Sequence, residues 1–410
     1  MTYHIITYGC QMNKNDSKRI KRLFEESGLK EASEEKCDFL IINACSVRGR
    51  VVDRIRGKLN NLSEDKTFIL TGCVLDEDKK ELAERFDHIL DIKRLPFWNK
   101  QIKQLKDLSI EGDYFKIEAK REKPVAYVPI MTGCDNFCSY CAVPYVRGRE
   151  TSRKPNEILK EIKKLIAEGF KEIWLLGQNV NSYNKGEKPD FPDLLEMVND
   201  LEGDFWIRFT SSHPKDFSDK LIKVISECEK VTEYLNLPIQ SGDDNILKAM
   251  NRPYKITEYK NIVKNVREEI PNITLSTDII VGFPGETKKA FQNTKKLLKE
   301  IKFDMAYIAR YSPRPHTKAA ELEDNVDDKE KKRRAKELTK LLKKQSLRKN
   351  KKLIGEKTIF LPTNYKDGVL TGKTKKYKTI KVEGVEKHLN KFKEVKITDA
   401  ATFGLKGKLL

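Results

Sequence analysis

The sequence predicts an α/β protein in three parts: an amino-terminal parallel α/β domain over 1–110, a central partial β/α (TIM-like) barrel over 120–350, and a small antiparallel β-barrel over 351–410. Two observations predict the first two parts: short apolar runs alternate with amphipathic stretches near the amino terminus, and the same alternation restarts on a larger scale after a charged stretch. A third predicts the last: short β-rich runs divided by Gly and polar turns fill roughly the final sixty residues.

In order, the first part reads HIITYG as a strand, Asp16 to Glu26 as a helix, FLIINAC as a strand, Val51 to Leu62 as a helix, TFILTGC as a strand and Glu77 to Phe86 as a helix. Each of these strands ends in or runs into a cysteine: Cys10, Cys45 and Cys73. Ligands collect outside the carboxyl ends of strands in open parallel sheets, so three cysteines distant in sequence are expected to converge.

Glu111 to Lys123 is charged, ends at Pro124 and reads as a linker. Beyond it, VAYVPIMTG, EIWLLGQN, FWIRFTSS, YLNLPIQ, TLSTDIIVG and MAYIARYS read as six parallel strands. Helices are expected between them: Pro155 to Glu168, Phe191 to Leu201, Phe217 to Glu227, a pair within Asp243 to Glu269, and Lys288 to Ile301. Residues just after each strand line the active face of such a barrel.

Residues 327–353 form a basic helical segment that leads into the last part. Residues 329–410 hold 26 Lys and Arg against 8 Asp and Glu, so nearly all of the net charge of +19 belongs to this end of the chain. A basic module on an otherwise balanced protein suggests that a polyanion, most simply nucleic acid, is held there. A solvated lysine-rich surface is the competing account. No apolar run has membrane-spanning length and no signal peptide is seen, so a cytoplasmic protein with no membrane partner is expected. Its eight cysteines then point to reduced thiols for metal or redox chemistry.

Cys134, Cys138 and Cys141 lie in GCDNFCSYC at the spacing C-x3-C-x2-C, with no fourth cysteine nearby. Structural zinc takes four ligands, and neither cysteine set has an adjacent pair or histidine to complete it. A cubane iron–sulfur cluster takes one cysteine per iron, so three cysteines leave one iron open. A degenerate zinc knuckle is the alternative. Cys37 and Cys228 fit neither set and read as small buried hydrophobes.

The triplet after a first barrel strand resembles the radical S-adenosylmethionine enzymes. GCQMN, INACSVR, TGC and GCDNFCSYCAVPYVRGRETSR, followed by a terminal β module, resemble the methylthiotransferases from end to end. The resemblance implies two [4Fe-4S] clusters. Cys134, Cys138 and Cys141 would hold the one whose open iron binds S-adenosyl-L-methionine, and Cys10, Cys45 and Cys73 an auxiliary cluster in the amino-terminal domain. It also makes the centre the radical SAM core and the last part a TRAM domain that grips RNA. Within the family, GCQMN, LLGQNVNSY and VPYVRGRETSR look most like the MiaB-type branch, the tRNA-2-methylthio-N6-dimethylallyladenosine synthases. That branch implies addition of a methylthio group to C2 of the hypermodified adenosine at position 37, with two S-adenosyl-L-methionine molecules per turnover.

Under this resemblance Tyr140 would pack beside the adenine of the cofactor. Strand-end position makes Gln178, Asn179, Arg208, Gln240, Ser241 and Gly282 further cofactor-binding candidates, together with Asn181, although Asn, Ser and Gly also serve turns and caps. One histidine at a strand end, His213, is weak evidence for catalysis. Lys373, Lys375, Lys376 and Lys378 lie on a candidate RNA-facing hairpin with Tyr377 available for stacking; the competing account packs that tyrosine on its own barrel. The expected partners are the tRNA anticodon stem-loop and an electron donor such as flavodoxin or ferredoxin, with the enzyme a monomer. Three alternatives stay open: the same chemistry on N6-threonylcarbamoyladenosine of tRNA, the same on a ribosomal protein aspartate, and a non-catalytic iron–sulfur RNA-binding sensor.

Overall fold

The computed structural model describes residues 1–47, 50–60, 62, 65–106 and 114–410. These fall into two compact units. The first gathers residues 1–121, 132–153 and 312–321, and the second gathers 122–131, 154–311 and 322–410.

The first unit is built on five parallel strands: β1 (Thr2–Tyr8), β2 (Lys30–Glu31), β3 (Phe39–Cys45), β4 (Thr67–Cys73) and β5 (His88–Ile89), in the order β2-β1-β3-β4-β5. Both faces of the sheet are covered, which is why β3 opens on the unbroken apolar run Phe39–Ile42. Tyr3, Phe24, Phe39, Ile41, Ile69 and Trp98 form the layer on one side; Leu40, Ile42, Ile55, Leu59, Leu70 and Phe86 form another. The helices are α1 (Gln11–Glu26), α2 (Arg50–Leu59), α3 (Asp76–Leu82) and the short α4 (Val143–Arg147).

Two expectations change here. Helix α1 begins at Gln11 rather than Asp16, because its first turns bury polar side chains, Asn13, Asn15, Asp16 and Arg19, which an apolar pattern cannot reveal. The expected linker is also no linker where it is described. Tyr114, Ile117 and Ala119 are buried, and buried Arg19 donates to the carbonyls of Tyr114 (2.8 Å) and Ile117. Glu111 to Asp113 lie outside the described residues.

The α/β barrel of the second unit has six strands, β6 (Val125–Pro129), β7 (Glu172–Leu176), β8 (Trp206–Phe209), β9 (Tyr234–Asn236), β10 (Thr274–Val281) and β11 (Met305–Arg310). They form two parallel triplets, β8-β7-β6 and β9-β10-β11, joined by a parallel bridge between Ile207 and Val231. The result is the expected six-stranded partial barrel. Helices α5 (Pro155–Ala167), α6 (Phe191–Asn199), α7 (Asp219–Glu227), α8 (Asp244–Ala249), α9 (Ile256–Glu269) and α10 (Lys288–Ile301) follow the strands. Their starts use ordinary caps: Asp190, Ser218 and Thr287 accept the backbone N–H groups of Asp193, Leu221 and Ala290.

Helix α11 (Asp328–Lys351) buries Leu338 and Leu342 and leaves most of its lysines exposed. Its last turn is tied to the terminal module through Asn350 Nδ2, which donates to the carbonyls of Ala401 and Thr402. That module is a closed five-stranded barrel in the order 357–366, 369–374, 379–383, 404–409, 393–401. Its pairs are antiparallel except one, since Ile380 and Leu405 face each other across parallel strands. Phe360, Leu370, Ile380, Val382, Val395, Ile397 and Leu405 fill its interior. Asp367 and Gly368, both left-handed, make the two-residue turn of its first hairpin.

Candidate cysteine centres and barrel site

Cys45 and Cys73 stand opposite each other, in register, at the carboxyl ends of β3 and β4. Cys10 follows β1, the neighbour of β3, and caps the start of α1. The three cysteines expected to converge therefore share one edge of the sheet; Cys10 senses the charge of Cys73, and Cys45 that of both. Gly72 has φ +106, and a Cβ there would lie 2.3 Å from the Ala44 carbonyl oxygen, so only glycine lets β4 come this close to β3 beside the cysteines. Asn13 organises the edge. Its Nδ2 donates to Asn43 Oδ1 (3.2 Å) and the Ala44 carbonyl (3.3 Å) and lies 3.9 Å from Cys73 Sγ, while its Oδ1 accepts the Cys10 backbone N–H (3.3 Å).

The thiols differ in character. Burial pushes the Cys10 thiol up. Cys45 is pushed well up, first by the hydrogen bond it donates to Cys73 and then by burial. Cys73 is drawn down to about 6, first by that hydrogen bond and, against the cost of burial, by the Arg147 guanidinium. Arg147 Nε donates to Cys73 Sγ at 2.9 Å and Arg147 Nη2 to Asp16 Oδ2 at 2.6 Å; Asp16 also accepts the Tyr114 hydroxyl. Arg147, Asp16, Asn13 and Tyr114 are site residues that sequence reasoning missed. For Asn13 and Asp16 the one signal was the run of polar side chains in QMNKND directly after a cysteine.

Cys134, Cys138 and Cys141 lie half-buried in one loop of the same unit, before α4. The Cys141 N–H donates to the Cys138 carbonyl (2.9 Å) and the Cys134 N–H to the Gly148 carbonyl (3.2 Å). Gly133, with φ +81, opens the loop; a Cβ there would lie 2.0 Å from the Arg149 carbonyl oxygen. Burial pushes the Cys134 thiol up, and Tyr140 is half-buried within the loop. Among the described residues no group of three or more His, Cys, Asp and Glu side chains closes around a single ion. A [4Fe-4S] cluster asks something else, one thiolate for each of several irons, and two sets of three thiols fit that demand.

At the carboxyl ends of the barrel strands, Gln178, Asn179, Asn181, Ser212 and His213 each bury a polar atom that has no hydrogen-bond partner among the described residues. Buried polar atoms are usually partnered in native proteins, and these five lie in two neighbouring loops. Asn179 Nδ2 is held by Asp216 (2.8 Å), and Asn181 Oδ1 accepts the His213 backbone N–H (2.9 Å). Burial, with the charges of Arg252, Lys215 and Lys185, draws the His213 imidazole down to about 2, so the ring is neutral. Its Nδ1 accepts the Lys215 N–H (3.3 Å), which puts the ring proton on the unpartnered Nε2. Sequence reasoning had set His213 aside.

Other candidates at strand ends prove committed to the fold. Arg208, 1 % exposed, lies 3.1 Å from Glu172 Oε2 and donates to Thr232 Oγ1 and to the carbonyls of Thr374 and Lys375. These bonds anchor the terminal module to the barrel. Ser241 is fully buried and its hydroxyl accepts the Asp243 N–H (3.3 Å), a turn. The Gly282 N–H donates to Glu286 (2.7 Å), and a Cβ there would strike the Lys331 side chain. Gln240 is half-buried in a left-handed conformation.

The expected RNA-facing hairpin is likewise corrected. Lys378 Nζ pairs with Asp304 (2.8 Å), Lys375 Nζ donates to the Glu229 carbonyl (2.9 Å), Lys376 lies 3.7 Å from Glu233, and Lys373 Nζ bonds Thr379 Oγ1 (2.7 Å). The Tyr377 ring packs against Tyr234 and Trp174. The hairpin buries an aromatic side chain against the α/β barrel, and Lys375, Lys376 and Lys378 are drawn to a carbonyl and to carboxylates there, while Lys373 bonds a hydroxyl of its own barrel. The exposed charge lies elsewhere on the module. Lys357, Lys396 and Lys408 face one another in register across three adjacent strands, and Lys381 faces Lys406. Like charges placed directly opposite repel, so these rows suit an anionic partner.

Residues 2–92 match the model of the uncharacterized protein family UPF0004, residues 128–298 that of the radical SAM superfamily and residues 359–410 that of the TRAM domain. The chain is 40% identical over 436 residues to the tRNA-2-methylthio-N(6)-dimethylallyladenosine synthase of Caldicellulosiruptor saccharolyticus, covering 100% of this chain and 92% of that protein. It is 40% identical to the protein of that name from Carboxydothermus hydrogenoformans (100% and 99% covered) and 39% identical to that of Dictyoglomus thermophilum (100% and 98%). Among solved structures, the radical S-adenosylmethionine methyltransferase TsrM from Kitasatospora setae, with cobalamin and a [4Fe-4S] cluster bound, is similar at TM-score 0.56 and 11% identity, covering 78% of this chain and 77% of that one. At that identity the likeness speaks for the fold alone.

Proposed function

The chain belongs to the family of tRNA-2-methylthio-N(6)-dimethylallyladenosine synthases, radical SAM methylthiotransferases, and on that premise we propose that it adds a methylthio group to C2 of N6-dimethylallyladenosine at position 37 of tRNA. The observation that carries this reading is the pair of three-cysteine sets, one at the carboxyl edge of the amino-terminal sheet and one in the loop after the first barrel strand.

Cys134, Cys138 and Cys141 would hold one [4Fe-4S] cluster, and Cys10, Cys45 and Cys73 a second. When bound, these clusters supply the one-electron reduction that splits S-adenosyl-L-methionine and a place for the sulfur to be transferred. Two molecules of S-adenosyl-L-methionine per product belong to the same reading.

The chain's own residues then bind and orient. Gln178 and Asn179 offer acceptor oxygens, and Asn181 and neutral His213 offer N–H donors, to the polar groups of cofactor or substrate at the carboxyl ends of β7 and β8. A neutral imidazole there donates a hydrogen bond without adding charge to the site. The lysine rows of the TRAM barrel would contact RNA phosphates, giving affinity without reading sequence, while the unpaired loop base is presented to the α/β barrel. The partners of this reading are the tRNA anticodon stem-loop and an electron donor of the flavodoxin or ferredoxin kind, in the cytoplasm, with the enzyme a monomer.

The test is anaerobic reconstitution with iron and sulfide, followed by assay on two tRNAs, one carrying N6-dimethylallyladenosine and one carrying N6-threonylcarbamoyladenosine. Methylthio mass is expected on the first alone. Gain on the second alone would move the substrate, and no consumption of S-adenosyl-L-methionine on either would remove the enzyme reading.

A further inference from the structure

Arg147 belongs by sequence to the segment that carries Cys134, Cys138 and Cys141, six residues beyond the last of them. Its guanidinium nevertheless serves the other cysteine set. Nε donates to Cys73 Sγ at 2.9 Å and Nη2 to Asp16 Oδ2 at 2.6 Å. The arginine is 2 % exposed and Asp16 0 %. Asp16 in turn stands on α1, six residues beyond Cys10, and is fixed from its other side by the Tyr114 hydroxyl.

A guanidinium with so little exposure is costly unless it is paired and its donors are used. Here one carboxylate balances it, and the sulfur takes a second, charge-assisted donor. The fork geometry matters: one planar group reaches a sulfur and a carboxylate at once, which the single ammonium of lysine cannot reproduce. Hydrogen bonds and net charge at ligating sulfurs set the potential of an iron–sulfur cluster, and outer partners orient its ligands.

We propose that Arg147, held by Asp16, is a positioning residue that sets the reduction potential of the cluster on Cys10, Cys45 and Cys73 and physically ties that set to the segment bearing the radical triplet. The inference rests on the reading of Cys10, Cys45 and Cys73 as cluster ligands. A cation donating to the sulfur raises the potential, because it stabilises the more negative reduced cluster; the adjacent carboxylate opposes it.

The experiment uses the full chain carrying Cys134→Ala, Cys138→Ala and Cys141→Ala, so that one cluster is measured, with its potential read by an anaerobic titration followed by electron paramagnetic resonance. Arg147→Gln is expected to shift the potential negative, Arg147→Lys to shift it negative by less, and Asp16→Asn to shift it positive. Opposite signs for the two partners are the electrostatic signature, since mere loosening of the fold would move both in one direction. Unchanged potentials, or shifts of the same sign, overturn the proposal. If Arg147→Gln does not fold, Asp16→Asn decides alone, a positive shift supporting the proposal and none or a negative one overturning it. A parent protein that binds no cluster removes the reading of the cysteine set itself, and the proposal with it.

Discussion

Tyr377 stacks on Tyr234 with ring centroids 4.4 Å apart and planes tilted by 33°. One ring sits at the tip of a TRAM hairpin and the other at the first residue of barrel strand β9. Trp174 closes on the same ring at 5.2 Å, and Arg208 donates to the carbonyls of Thr374 and Lys375 on the hairpin. The partners of the hairpin, Glu229, Glu233, Tyr234 and Asp304, lie before or at the amino ends of strands. The small barrel thus covers the amino ends of the barrel strands, and the unpartnered polar atoms of Gln178, Asn179, Ser212 and His213 lie at the carboxyl ends, where barrel enzymes place their chemistry.

Tyr377→Ala should therefore act on stability. Removing a ring packed between two others is expected to cost about 3 kcal/mol, seen as a lower denaturant midpoint. RNA affinity measured on the remaining folded protein should stay close to that of the parent. A large loss of affinity with unchanged stability would return Tyr377 to the RNA-stacking role.

The lysine rows predict a salt signature. Replacing Lys357, Lys396 and Lys408 together by Gln should weaken RNA binding and make the plot of log affinity against log salt shallower by about 2 to 3. Replacing Lys373, Lys375, Lys376 and Lys378 should leave that slope nearly unchanged, since these side chains are turned to the protein. The opposite ranking would restore the hairpin as the RNA contact.

The two cysteine sets predict separable losses. Cys73→Ala should remove about half of the bound iron while reductive cleavage of S-adenosyl-L-methionine persists. Cys138→Ala should remove a similar share and abolish cleavage. Cleavage that survives Cys138→Ala would contradict the assignment of the triplet.

His213 predicts a pH dependence. Its imidazole is held at about 2 in the folded chain, against about 6.5 when unfolded. The unfolded chain binds the extra proton between those values, so the stabilisation is complete above about pH 6.5 and is lost as pH falls, by at most about 1.4 kcal/mol per unit. Denaturant unfolding of His213→Asn between pH 7 and 5 should show a flatter dependence than the parent. Parallel curves would mean that the histidine is not held neutral.

Much of this was legible in the chain order. Both three-cysteine sets, the six barrel strands and the closing β module follow from period, turn residues and spacing, all local properties of sequence. The polar half of α1 was not legible, because a helix face that buries Asn13, Asp16 and Arg19 looks like a solvated one until a sheet edge covers it. Tyr114 failed for a similar reason: a charged neighbourhood disguised a buried ring.

The sequence by itself determined the two three-cysteine patterns, the strand–helix alternation and the concentration of positive charge at the carboxyl-terminal end, because cysteine position, apolar period and composition need no knowledge of neighbours in space. Only the tertiary structure decided which charges are free and which are spent. Arg208 and the hairpin lysines read as available cations, and Arg147 gave no sign of a partner. Burial makes an unpaired charge costly, so Arg147 was drawn to a sulfur, Arg208 to a backbone carbonyl, Lys375 to a carbonyl and Lys378 to a carboxylate, and those partners lie from 74 to 167 positions away along the chain.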